Sequence, residues 1–134
     1  MDWRRCLLEG RDLTGADLTG ATLRDAALDR ASLKGAVLRG VNAREARFVS
    51  ADLTGADLEG AILREADLTR AELVGAKLVR ADLRRARLFR ADLTNADLTG
   101  ALLDGADLLH ATLDGARWTD GKRVCAAGSV GACQ

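Results

Sequence analysis

Residues 51–60 read Ala-Asp-Leu-Thr-Gly-Ala-Asp-Leu-Glu-Gly, one five-residue phrase written twice with only its fourth position changed. Followed outward, the phrase holds its frame from Met1 to Asp120 without an insertion. Of the twenty-four pentads, twenty carry Leu at the third position and twenty carry Ala at the first. The third-position exceptions are Trp3, Ala43, Phe48 and Trp118; those at the first are Met1, Cys6, Arg11 and Val41. Periodicity on this scale decides architecture ahead of local propensity.

A period of five fits neither regular element. On an α-helix successive leucines would step ~140° around the axis and form no stripe. On a flat strand an odd period sends them to alternate faces. Each pentad must therefore be a short extended piece plus a corner, and identical corners repeated along a chain wind it into a solenoid with every leucine inside.

The phrase resembles the consensus A-(D/N)-L-x-x of the pentapeptide-repeat family, over about nine-tenths of the chain. The resemblance implies an all-β, right-handed quadrilateral β-helix with four pentads per coil. Residues 1–120 would then make about six coils, a rod roughly 29 Å long at ~4.8 Å per level. A period of 20 has some support in the corners. Gly15, Gly35, Gly55, Gly75, Asn95 and Gly115 form a column suited to positive φ. A second column, Asp25, Glu45, Glu65, Arg85 and Gly105, predicts a different turn type at that corner.

Formal net charge is zero, from 20 basic and 20 acidic residues. That balance argues against a polyelectrolyte that binds nucleic acid without specificity. The first 20 residues contain no apolar run longer than Cys6-Leu7-Leu8, so neither a secretory signal nor a membrane span is expected, and the protein reads as cytoplasmic. Residues 121–134 leave the repeat and form a separate tail in which Cys125 and Cys133 bracket a small-residue loop. If they pair, the closed loop contributes ~2.5 kcal/mol in the chain-entropy model and favours an exported form; if they stay reduced, the cytoplasmic reading stands. Cys6 reads as a buried substitute for Ala. Trp3 and Trp118 read as caps on the two ends of the leucine column.

Little in the chain is suited to catalysis. The single histidine, His110, falls at a corner and reads as an exposed polar residue. Three cysteines include no C-x₂-C pair, so no metal site is expected, and no phosphate-binding loop or cofactor signature is present. Second-position aspartates read as acceptors for nearby backbone N–H groups.

The outward surface is where the rod is individual. Arg24, Arg44, Arg64 and Arg84 recur every 20 residues and should stack as a basic edge, with Asp25, Glu45 and Glu65 beside them as screening partners. Asp12, Asp52, Glu72 and Asp92 should form an acidic face. Phe89 and Leu109 should lie one level apart, pointing outward, as a contact patch or as a seat for the tail. The leading functional reading is a non-enzymatic interaction scaffold for a protein partner, with a second copy of the chain as a candidate partner. The alternative, implied by the resemblance, is a DNA-mimicking modulator or protector of a type II topoisomerase (DNA gyrase), acting through the acidic face. The neutral charge and the absence of a helical C-terminal module depart from that pattern.

Overall fold

The computed structural model describes residues 1–134. Its register is constant: every second-position residue bridges the residue 20 positions later in parallel, from Asp2–Thr22 through Asp97–Arg117. No extended strands form. Each pentad gives one bridge residue and one turn, so the β structure is a stack of short parallel rungs around a solenoid.

One pentad accounts for its own backbone. Leu53 N–H donates to Glu72 O on the next level at 2.7 Å, Glu72 N–H donates back to Ala51 O at 2.9 Å, and Gly55 N–H donates to Val74 O at 2.9 Å. Within the corner, Ala56 N–H closes the turn on Leu53 O at 3.0 Å. Repetition of this set satisfies the interior chain almost completely, which a buried polar backbone requires.

The corners do not differ as the sequence predicts. Every fifth residue from Arg5 to Gly115 has positive φ, including twelve that are not glycine. Asp25, Glu45, Glu65 and Arg85 adopt φ near 60°, close to the 65–70° of the glycine column. The i→i+3 bond with positive φ at the second central residue is the type II pattern. Register with the levels above and below overrides side-chain preference here, at a cost of roughly 1–2 kcal/mol for a β-carbon in the left-handed region. Arg70 (φ 58°) is exposed and forms no ion pair. Arg70→Gly is therefore expected to stabilise the rod by about 1 kcal/mol, raising the thermal midpoint by roughly 3 °C. An unchanged or lower midpoint would show that the strain is absent.

The core is two interleaved columns, third-position Leu and first-position Ala, nearly all fully buried between Leu18 and Leu98. Small Ala is required where the chain turns toward a narrow interior. Val41, Ala43 and Phe48 share one level and are also fully buried, so the mid-rod substitutions away from the phrase lie together. The first level is the least covered. Trp3, Leu8 and Leu13 are only partly covered, Cys6 is half-buried instead of buried, and Arg11 is exposed.

After Asp120 the chain reverses. Val124 pairs antiparallel with Arg117 and Val130 with Thr112, so the tail runs back over two sides of the last level. Cys125 and Ser129 are buried by this return, and Cys125 is bonded to Cys133. Trp118 is half-buried under the tail, its N–H donating to Arg123 O at 2.7 Å. The other two sides of that end, residues 101–110, have no strand above them.

Candidate functional site

The 20-residue register turns sequence columns into surface columns. Phe89 lies directly below Leu109, joined through Arg90 N–H to Leu109 O at 3.0 Å. Phe89 is half-buried and Leu109 is 56% exposed. The His110 ring stands edge-on to Phe89, with centroids 5.8 Å apart, and the Arg90 guanidinium lies 5.3 Å from the same ring. The apolar pair thus has a cation and an imidazole at its border. The tail leaves the Leu109 side chain exposed; it lies over the neighbouring sides and reaches this one only at Gly131, beside Leu108 O and His110 N.

The arginine column is paired within itself. Arg44 meets Glu45 at 3.8 Å and Glu65, one level up, at 3.3 Å; Arg64 meets Glu65 and Arg24 meets Asp25, each at 3.9 Å. Arg84 instead forks onto Asp82 at 2.7 and 2.9 Å. That hydrogen bond lowers the Asp82 carboxyl below the ordinary aspartate range and raises Arg84. Arg44 Nε and Arg64 Nε are buried without a hydrogen-bond partner. Half-exposed pairs of this kind contribute little stability, but they leave little free positive charge.

In the acidic column Asp12, Asp52 and Asp92 accept the backbone N–H two residues on, from Thr14, Thr54 and Thr94, at 3.0–3.1 Å. These are Asx turns: the carboxylate holds the start of the corner. In Asp12 the bond to Thr14 lowers the carboxyl's pKa. Glu72 forms no such bond and is exposed. The bridges place all four residues in one column, with Ser32 between Asp12 and Asp52 and Thr112 after Asp92.

Sequence reasoning placed Phe89 with Leu109 but did not single out Leu102, and it read His110 only as an exposed corner residue without bringing it or Arg90 against Phe89. Leu102 is 46% exposed at a second position that is polar in most pentads. The Leu doublets at 102–103 and 108–109 carried that signal. No three or more His, Cys, Asp or Glu side chains converge as metal ligands. No helix is long and apolar enough to cross a membrane.

Residues 4–40, 46–85 and 81–117 match the family model described as pentapeptide repeats, in eight copies. Among solved structures, a pentapeptide repeat protein of the Arabidopsis thaliana thylakoid lumen is 28% identical over 92% of this chain and 84% of its own, at TM-score 0.61. Rfr23, a pentapeptide repeat protein of the cyanobacterium Cyanothece 51142, is 29% identical over 87% of this chain and 88% of its own, at TM-score 0.59. HetL of the cyanobacterium Nostoc sp. strain PCC 7120, involved in heterocyst differentiation regulation, is 35% identical over 90% of this chain and 67% of its own, at TM-score 0.48. These relatives are right-handed β-helix solenoids. No curated protein matches the chain.

Proposed function

The chain belongs to the pentapeptide-repeat family, and from that premise we propose that it is a non-enzymatic scaffold: a rod of about six coils that presents one rigid side to a protein partner. The observation that carries this reading is the patch at Phe89 and Leu109. An apolar side chain 56% exposed on a rod already filled by leucine gains nothing from the fold. Its edge-on histidine and bordering arginine supply the mixed apolar and cationic chemistry common at the centre of protein interfaces. The arginine column Arg24, Arg44, Arg64 and Arg84 is the secondary surface, with its acid partners in place.

The alternative, a DNA-mimicking modulator of gyrase, would have to act through Asp12, Asp52, Glu72 and Asp92. Three of those four carboxylates are engaged with their own turns, which supports the scaffold reading over this one. The same reading keeps the protein in the cytoplasm, with the Cys125–Cys133 bond as the feature that favours an exported form.

The test is the double variant Phe89→Ser, Leu109→Ser. Both side chains lie outside the core, so its thermal midpoint should stay close to the parent's while partner capture falls by about tenfold or more, as expected for an apolar hot spot. Unchanged capture would remove the patch from the account. Loss of gyrase protection or inhibition on substituting Asp52, Glu72 and Asp92, with the patch variant fully active, would establish the alternative.

A further inference from the structure

The C-terminal end is a half-step. On the two sides formed by residues 111–120 the tail adds a rung; on the two sides formed by residues 101–110 it adds none and only Gly131 comes close, at the Leu108–His110 corner. The open half leaves a regular set of groups without partners. Leu103 and Leu108 N–H have no acceptor, and Ala101 and Ala106 O have no donor. Lower in the rod, each such pair embraces a single residue: the residue above donates its N–H to the first-position oxygen and accepts from the third-position N–H, as Glu72 does over Ala51 and Leu53.

The outer edge of the tail presents what this open half lacks. Val124 pairs with Arg117 through its neighbours, Cys125 N–H to Ala116 O and Trp118 N–H to Arg123 O, so both backbone groups of Val124 are unbonded. Val130 is identical in this respect, held by Gly131 N–H to Ala111 O and Leu113 N–H to Ser129 O. Two residues with free N–H and C=O thus stand on one half of the end, and two vacant receptors stand on the other.

We propose that this end is a two-fold interface between two copies of the chain, in which the tail of each copy completes the open half of the other. A two-fold axis perpendicular to the rod reverses the sense of the coil. One such axis, through the corner near Asp120, lays the tail side at 116–120 on the open side at 101–105 and the tail side at 111–115 on that at 106–110. Val124 then stands over Leu102 of the other copy, and Val130 over Asp107. The tail runs antiparallel to its own coil, and so does the inverted coil of the other copy; the new pairing is therefore parallel, the arrangement the vacant groups already serve in every level below.

Side chains agree with the backbone. Val124 and Val130 are 54% and 52% exposed, and Leu102 is 46% exposed, so the pairing brings Val124 against Leu102 on the outer surface. Charges agree as well. The tail carries Lys122 and Arg123 and no acidic side chain, whereas the open half carries Asp104 and Asp107 and no Lys or Arg. The flat N-terminal end of another copy fits less well, because it would rest on the tail and leave a gap of one rung, ~4.8 Å, over the open half.

Sedimentation velocity over a concentration series decides the matter. The parent should form a dimer. Leu102→Lys with Val124→Lys places like charges opposite one another twice per dimer and should weaken it by about tenfold or more. Leu102→Glu with Val124→Lys should restore it. All these positions are exposed, so thermal midpoints should show the fold intact. A monomer at every concentration would overturn the proposal. So would a dimer indifferent to the lysine pair, or one broken instead by Leu7→Lys at the opposite end. The lysine pair leaves Phe89 and Leu109 untouched, so partner capture by the side patch is read separately.

Discussion

Leu63→Asp is expected to leave no folded rod. Leu63 is fully buried midway along the leucine column. The substitution forfeits ~3 kcal/mol of apolar burial and places a carboxylate where no donor is free. Burial of an unpaired charge costs several kcal/mol more even after relaxation, so the sum approaches the whole stability of a domain this size, ~5–15 kcal/mol. A solenoid contacts only its neighbouring levels, so the break would sever the stack instead of being shared across it. Far-ultraviolet dichroism and a thermal melt read the outcome; a cooperative melt near the parent's would show that Leu63 is not inside.

The fully buried level that departs from the phrase should show the second-largest effect. Ala43 stands where Leu is usual and Phe48 where Leu is usual on the adjoining side, both with no exposed surface. Close packing at constant cross-section means that the large ring occupies space the small residue leaves. Phe48→Ala is expected to cost about 3–5 kcal/mol through a cavity that neighbouring levels cannot close. Ala43→Leu alone should cost about 1–3 kcal/mol by overpacking. The double variant Ala43→Leu, Phe48→Leu restores the phrase and should cost less than the sum of its single changes by at least about 1 kcal/mol. Additive costs in denaturant melts would mean that the two sites are packed independently.

What could be read from the residues was whatever the period itself enforces. Leucines recurring every five residues have one arrangement that buries them all, so the solenoid and its interior follow from spacing. The corners were misread because Asp, Glu and Arg there suggest a turn unlike that of glycine. Bonds such as Gly55 N–H to Val74 O hold every corner to one geometry whatever its side chain. Pairing between levels was only half visible: Arg44 beside Glu45 is evident along the chain, but Arg44 with Glu65 requires the levels to be stacked. The tail's return carries no strand periodicity, since its glycines and alanines set no face. The open half at 101–110 was missed with it, because an edge is defined by what fails to cover it. The Phe89–Leu109 column was visible because both are large apolar residues at a fourth position that is polar in most pentads.

Each surface column exists only if the levels repeat every 20 residues. That register sets Phe89 under Leu109, Arg44 between Arg24 and Arg64, and Glu72 between Asp52 and Asp92. The most direct test is the pattern of nuclear Overhauser contacts between backbone protons of stacked levels. The account predicts contacts from Ile62 to Asn42 and Asp82, and from Glu72 to Asp52 and Asp92, repeated at the same separation along the rod. Contacts at any other constant separation, or helical contacts between near neighbours, would contradict it and dissolve the columns on which the proposed function stands.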